Sequence, residues 1–233
     1  MKLVTWNCLG ALHEKHQRLL ALGADVMVIQ ECTQRSLEQI NRSKGWSFAC
    51  FGSAPHKKAL GVLVKPPWTI RAKRALKPKW AGKVTIDGQV SIELFPVWAH
   101  HDKSSGVAYI EQVHLLLDSI EKSSLAPYTI VAGDFNSNSY WDHEYGLKSH
   151  TSAVSRFRKL GLESAYHGFF GDTQGAERHP TLWFRKNKDN PYHVDYVFLS
   201  RPLLSKLRTV VVGHSDDWLT SSDHAPVLVE IDL

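Results

Sequence analysis

Four short polar signatures punctuate the sequence in the order Trp6-Asn7, Gln30-Glu31, Gly133-Asp134-Phe135-Asn136 and Ser222-Asp223-His224, and each closes or follows an apolar run. Carboxylates, amides and an imidazole at strand ends can converge on one divalent cation and one phosphate. The chemistry these residue types suit is metal-assisted hydrolysis of a phosphate ester. Glu31 sits just past a buried run, where a lone carboxylate is costly unless it is paired, hydrated or bound to a cation. Hard oxygen ligands of this kind suit Mg²⁺ or Mn²⁺, which keep several waters and take few protein carboxylates. In Gly133-Asp134-Phe135-Asn136 the glycine permits close backbone approach, and Asp134 and Asn136 lie on one side if the chain stays extended, able to grip one water together. His224 can exchange a proton near neutral pH or donate to a phosphate oxygen. It needs an orienting partner, and Asp195, an acid inside His193-Val194-Asp195-Tyr196-Val197-Phe198, is the best candidate. Taken singly, each signature has a plainer reading: Glu31 as a helix-start acid, the Gly-Asp-Phe-Asn tetrapeptide as a turn, Asp195 as a surface acid on an edge strand. The whole set in one chain order shifts the weight to chemistry.

The elements that must position them follow from periodicity. Apolar runs over residues 3–6 and 25–30, separated by a helical pattern over 12–22, predict a strand-helix-strand start. A helix over 34–41 precedes strands over 46–51, 60–64, 68–72 and 92–100, with a hairpin expected at 82–88. The spacing of Ile110, Val113, Leu116, Leu117 and Ile120 predicts an amphipathic helix over 107–121, followed by a strand over 128–132. A further helix over 152–160 and strands over 181–184, 194–200, 207–212 and 225–231 complete the set. So many strands require two sheets. Residues 137–151 and 166–179 read as loops.

The 233 residues are 43% hydrophobic, enough to bury a large core in one domain spanning 1–233. No repeat, low-complexity tract or composition shift marks a boundary. Cys8, Cys32 and Cys50 are odd in number without paired spacing, which argues against a disulfide framework or a cysteine zinc site. The start of the sequence shows no export signal, and no apolar run approaches the roughly 20 residues of a membrane span, so a soluble, cytoplasmic protein is expected.

Together, Asn7, Glu31, Asp134 with Asn136, Asp195, and Asp223 with His224 resemble the motifs of the endonuclease/exonuclease/phosphatase family, metal-dependent phosphoesterases that include pancreatic-type deoxyribonucleases, abasic-site endonucleases, inositol polyphosphate phosphatases and sphingomyelinases. The resemblance spans nearly the whole chain. It implies a four-layer α/β/β/α sandwich, two mixed sheets face to face with helices outside and the site at one end. Carried over residue by residue, it implies Glu31 as the main Mg²⁺ ligand and Asn7 at the metal or phosphate. Asp134 would activate or position the attacking water with help from Asn136, and Asp223 would be a second acid on the metal side. His224, oriented by Asp195, would stabilise phosphate charge or act as acid/base. His100, ending the strand before the long helix, matches a family position held by histidine in pancreatic-type nucleases and many phosphatases and by tyrosine in abasic-site endonucleases. His101 is adjacent, and a one-residue register shift would exchange the two. His100, and the absence of an acid in Cys8-Leu9, argue against a dedicated abasic-site enzyme.

The formal charge of +5 and pI near 9.1 favour a polyanionic partner. The stretch 55–83 carries Lys57, Lys58, Lys65, Arg71, Lys73, Arg74, Lys77, Lys79 and Lys83 with Trp68 and Trp80 interleaved. This pattern suits a nucleic-acid backbone with base stacking, and equally the solvated face of an edge strand. Arg185, Lys186 and Lys188 precede the Asp195 strand, and Tyr140 and Trp141 follow Asn136; of these Trp141, Arg185 and Lys186 are the candidate substrate contacts. The preferred expectation is a Mg²⁺-dependent nuclease, monomeric, with Mn²⁺ as substitute. The alternatives are a phosphatase or phosphodiesterase on a small substrate, and a non-catalytic nucleic-acid-binding module on the same scaffold.

Overall fold

The computed structural model of the protein describes residues 1–52, 57–101, 106, 107 and 109–233. Its strands are β1 (Lys2–Asn7), β2 (Val26–Cys32), β3 (Ser47–Phe51), β4 (Ala59–Val64), β5 (Thr69–Ala75), β6 (Gly82–Asp87), β7 (Ser91–Trp98), β8 (Thr129–Asp134), β9 (Leu162–Ser164), β10 (Leu182–Trp183), β11 (Pro191–Tyr192), β12 (Asp195–Ser200), β13 (Leu207–Val212) and β14 (Val227–Ile231). The helices that matter below are α1 (Leu12–Leu20), α2 (Gln34–Lys44), α3 (Ile110–Glu121), α4 (Asp142–Tyr145), α5 (His150–Lys159) and α6 (Ala165–Phe170).

Two six-stranded mixed sheets form, in the orders β13-β14-β1-β2-β4-β3 and β5-β6-β7-β8-β12-β9, and β10 and β11 pair as a separate ribbon. Strand alternation explains why they stack. Along β1 and β2, Leu3, Val26 and Val28 turn one way and meet Leu94, Ile130 and Val197 of the other sheet in a central core. Val4, Trp6, Met27 and Ile29 turn the other way and pack under Leu12 and Leu19 of α1 and Leu37 and Ile40 of α2. On the second sheet Phe95, Val131 and Phe198 meet Val113 and Leu117 of α3 and Phe157 of α5. Three apolar layers between four layers of elements make the α/β/β/α sandwich, with each fully buried aliphatic side chain worth about 1.5–3 kcal/mol.

Local signals set the helix ends. Thr33 caps α2 in a reciprocal pair with Ser36, and Gly45, at φ 69°, stops it. Several expected boundaries move. The helix over 107–121 begins at Ile110, and the expected hairpin at 82–88 is a full strand, β6, paired with β5 on one side and β7 on the other. The run over 181–184 shrinks to two residues because Arg185 and Lys186 turn left-handed just beyond it. Both expected loops hold short helical turns: Asn138 caps the turn at Ser139–Trp141 that runs into α4, and Ser164 caps α6. These are local capping events too short to leave an apolar period. Strand β9 is equally short, three residues.

The inward rows of three strands finish at one end of the sandwich. Leu3 and Thr5 lead to Asn7, Ile130 and Ala132 lead to Asp134, and in the antiparallel β12 Leu199 and Val197 lead back to Asp195, which lies directly opposite Asp134.

Candidate active site

At this end the inter-sheet core turns polar. Asn7, Asp134, Asp195 and His224 are all at most 5% exposed. Asn7 joins the two sheets: its Nδ2 donates to Asp134 Oδ2 at 2.9 Å and lies 3.4 Å from Glu31 Oε1, while its Oδ1 accepts from the Leu9 amide at 3.1 Å. Glu31 reaches this amide only because the backbone breaks its own alternation. By parity with Met27 and Ile29 its side chain belongs on the helix side. Instead it adopts φ 61°, and the β2–β4 register shifts between Ile29 and Cys32, a bulge that re-aims the carboxylate toward the inner end. Its Oε2 accepts from the ammonium of Lys58.

Asp134 is held from three sides. Its Oδ1 accepts from the Asn136 amide at 2.8 Å, and its Oδ2 accepts from Nδ2 of Asn136 and Nδ2 of Asn7, both at 2.9 Å. The chain does not stay extended after Asp134: Asn136 sits at φ 43°, a region asparagine tolerates, and folds back so that its Nδ2 also donates to the Ala99 carbonyl at 2.7 Å. Gly133 is required by close packing, since a Cβ there would lie 1.8 Å from the Val97 carbonyl oxygen. Burial, and then the charge of Asp195, push the Asp134 carboxyl up to about 7.

His224 Nδ1 is 2.9 Å from Asp195 Oδ2. Burial alone would push the imidazole down, but the charges of Asp195 and Asp134 outweigh it and raise its pKa to about 10, which favours the charged imidazolium near neutral pH. Neighbouring backbone fixes both partners. Thr181 Oγ1 accepts from the amides of Val194 and Asp195 at 2.9 and 3.1 Å. Trp6 Nε1 donates to the His224 carbonyl at 3.0 Å, and Ser222 Oγ donates to the Asn7 carbonyl at 2.7 Å while accepting from the His224 amide at 3.1 Å. Among the described residues Asp195 Oδ1 is buried without a hydrogen-bond partner, an acceptor left for another donor. Ligand atoms of Asp134, Asp195 and His224 lie within 4.8 Å of one another, but the Nδ1 contact to Asp195 makes this trio a charge network rather than a cage.

The donor set suits a hard divalent cation. Glu31 offers carboxylate oxygen and already draws a cationic group to Oε2, Asn7 lies against it through Nδ2, and positive charge nearby would relieve the cost of ionising Asp134. Asp223 neighbours His224 in the chain, its carbonyl accepting from the Trp183 amide at 2.8 Å and its Oδ1 lying 3.5 Å from Ser222 Oγ. The structure therefore brings Asn7, Glu31, Asp134, Asn136, Asp195, Asp223 and His224 to one end of the sandwich. His100 stands at its margin, its ring 3.8 Å from that of Trp80 and 4.8 Å from that of Trp98.

A cavity of about 220 Å³ borders Asn136 and is lined by Trp141, Tyr145, Leu182, Phe184 and Tyr192 among others. Trp141 rests on Tyr192 with ring centroids 4.6 Å apart. Arg185 and Lys186 project from the left-handed turn beside this cavity, the Arg185 guanidinium 5.2 Å from the Phe184 ring. The basic stretch divides. Pro55 lies outside the described residues. β5 is an edge strand, and Arg71 and Lys83 are paired with Asp87 and Glu93. Lys79 instead lies over Trp80, 4.6 Å from its ring.

Sequence reasoning missed four contributors. Lys58 was read only as part of a basic run, because its contact with Glu31 crosses a loop and a bulge. Thr181 and the Ala99 carbonyl carry no signal of their own. Ser222 stood inside a signature, and its alternation with His224 around one hydroxyl was the available clue.

The family profile described as the Endonuclease/Exonuclease/phosphatase family matches residues 4–224. No curated protein matches the chain by sequence. Among solved structures, a 3′-5′ exonuclease (NExo) from Neisseria meningitidis is similar with TM-score 0.75 at 16% identity, covering 100% of both chains. A 3′ phosphatase NExo from Neisseria bound to a product DNA hairpin is similar with TM-score 0.74 at 16% identity, again over 100% of both. An AP endonuclease from Archaeoglobus fulgidus is similar with TM-score 0.70 at 16% identity over 100% of both. At such identity these likenesses concern the fold. Among the described residues no helix is long and apolar enough to cross a membrane.

Proposed function

The chain belongs to the endonuclease/exonuclease/phosphatase family, and from that premise we propose that residues 1–233 form a single catalytic domain, a divalent-metal-dependent nuclease that hydrolyses phosphodiester bonds of DNA or RNA. The observation that carries this reading is the Asn7 amide, which touches both the Glu31 and the Asp134 carboxylates while Asp195 and His224 stand directly beside them. A cation site, a water-activating carboxylate and a fixed positive charge thus meet within one polar cluster.

Glu31, with Asn7 and Asp223, would hold the metal, Mg²⁺ by preference and Mn²⁺ as substitute. When bound, the cation supplies Lewis-acid polarisation of the phosphoryl group and lowers the cost of an attacking hydroxide. Asp134 accepts a proton from the attacking water. Its carboxyl at about 7, raised by burial first and Asp195 second, is matched to proton transfer near neutral pH. Asn136 and Asn7 hold that carboxylate in one rotamer from both sides, so little reorganisation is needed at the moment of reaction. The His224 imidazolium, kept charged and oriented by Asp195, donates to a phosphoryl oxygen and offsets its developing charge. His100 lies beside the Asn136 anchor at Ala99 and would add a further donor there.

Nucleic acid as partner is supported by the aromatic cavity next to Asn136, where Trp141 and Tyr192 offer a stacking surface for a base. Arg185 and Lys186 flank it with exposed cations for the backbone. The three solved structures named above include one holding a DNA hairpin. A monomer in the cytoplasm is the working assignment. The deciding experiment offers plasmid DNA, single-stranded DNA, RNA and a panel of phosphomonoesters with Mg²⁺ or Mn²⁺. Cleavage of a nucleic acid, abolished by EDTA and by Glu31→Gln, is the expected result. Turnover of phosphomonoesters alone would replace this reading with a small-substrate phosphatase, and salt-sensitive binding without any cleavage would make the protein a binding module.

A further inference from the structure

Lys58 belongs to none of the polar signatures, yet its ammonium lies against Glu31 Oε2 while Oε1 faces Asn7. The two partners are held very differently. The Lys58 side chain is 53% exposed on a flexible four-carbon stem, whereas the Glu31 side chain is 15% exposed and fixed by a bulged, left-handed backbone. The lysine can therefore swing into water, and the glutamate cannot follow. Half-exposed ion pairs of this kind are weak. The stem also crosses the turn after β1, where a Cβ on Gly10 would lie 3.8 Å from Lys58 Cε. Lys15 is committed elsewhere in that turn, its Nζ donating to the carbonyls of Cys8 and Gly10 at 2.8 and 3.0 Å. Among the described residues Lys58 is the cation that meets Glu31.

Resting on the reading that Glu31 holds the metal, we propose that Lys58 is a charge-exchange positioning residue: its ammonium neutralises Glu31 until a divalent cation replaces it, and the released side chain then contacts a phosphate of the nucleic-acid substrate. A divalent cation carries twice the charge of the ammonium and cannot share the same oxygen with it at close range without like-charge repulsion. Metal entry expels Lys58. The expelled ammonium stays tethered within one side-chain length of the site, where the anion that the reaction brings is a phosphodiester. Metal and substrate binding are thereby coupled through one lysine: competition without substrate, cooperation with it.

The test compares Lys58→Ala, Lys58→Arg and Glu31→Gln. Mn²⁺ affinity is measured by titration calorimetry without nucleic acid. Binding of a labelled single-stranded oligonucleotide is measured by anisotropy against salt at saturating Mn²⁺, with Asp134→Asn in every chain to block turnover. Removing the competing ammonium is expected to tighten Mn²⁺ binding by about two- to fivefold in Lys58→Ala, the upper range of a weak, partly exposed ion pair. The slope of log affinity against log salt is expected to fall by about 0.7, one phosphate contact on a single strand. Lys58→Arg should keep the wild-type slope. An unchanged or weaker Mn²⁺ affinity in Lys58→Ala, or an unchanged salt slope, overturns the exchange. Glu31→Gln separates the two readings: wild-type Mn²⁺ affinity there overturns the metal role of Glu31 itself, whereas loss of Mn²⁺ there with no change in Lys58→Ala overturns the exchange alone.

Discussion

Replacing Asp195 by asparagine keeps the shape of the side chain and removes its charge, which isolates the ion pair at the centre of the site. Burial alone would lower the His224 pKa, yet Asp195, 2.9 Å away, and then Asp134 raise it from 6.5 to about 10. A raised pKa of this kind stabilises the fold in full below about pH 6.5, and the contribution is lost as pH rises through about 10. At pH 7 it amounts to about 4 kcal/mol. Asp134 works in the opposite direction. Its carboxyl is raised from 3.8 to about 7, by burial first and Asp195 second, so ionising it costs a similar amount near neutrality. Asp195→Asn relieves only the part due to Asp195, and because burial is the larger cause the relief is about 2 kcal/mol at most. A net loss of about 2 kcal/mol at pH 7 follows. Urea unfolding of both proteins across about pH 6 to 10 checks it: the gap should be open at the acid end, shrink as pH rises above about 7 and reverse before about pH 10, where the wild-type imidazolium is half deprotonated while the relief at Asp134 persists. The His224 ring in the variant should titrate well below about 10. Equal stability at pH 7, or a gap independent of pH, refutes the ion pair as a source of stability.

The remaining predictions concern neighbouring groups. Gly133→Ala drives a Cβ to within 1.8 Å of the Val97 carbonyl oxygen and should cost about 3 kcal/mol or more; a melting temperature within a degree of wild type would contradict the packing at that point. Asn136→Ala removes donors to Asp134 and to the Ala99 carbonyl and should lower turnover by about 100-fold for a stability loss of about 1–2 kcal/mol, so that kinetics and unfolding measured side by side separate the two roles. Since Asp134 must be ionised to take a proton and its carboxyl is raised to about 7 by burial and Asp195, kcat/KM should show an acid limb falling about tenfold per pH unit, at or below about pH 7 to the extent that the bound cation offsets that rise. A profile with no acid limb anywhere between about pH 4 and 7 would remove Asp134 as the base.

Much of the fold is legible locally. The strand-helix-strand start, the helix ending at Glu121 and the strand delivering Asp134 all carry their period in consecutive residues, and burial on two faces of a sheet leaves near-continuous apolar runs. The short elements are not legible, because the two-residue β10 and the turns capped by Asn138 and Ser164 depend on single hydrogen bonds rather than on a repeated pattern. The basic stretch 55–83 shows a mixed outcome. Its charges follow from composition, but the ion pairs of Arg71 with Asp87 and Lys83 with Glu93 and the stacking of Lys79 on Trp80 depend on which strands lie beside it.

What the sequence by itself determined is the chemistry and the order in which it appears: acid, amide and imidazole at the ends of apolar strands, and an alternation that places Asn7, Asp134 and Asp195 on inward rows. Only the tertiary structure decided that these rows end together. Asp195 faces Asp134 because β12 runs antiparallel to β8 in one register, and a shift of one residue would turn either acid into the helix layer. The same holds for Glu31, which alternation sends outward and a left-handed bulge against β4 sends inward. Lys58 reaches it only through the pairing of β4 with β2. Contacts of this kind join positions far apart in the chain, and their geometry is fixed by sheet pairing and packing, which no local stretch of residues encodes alone.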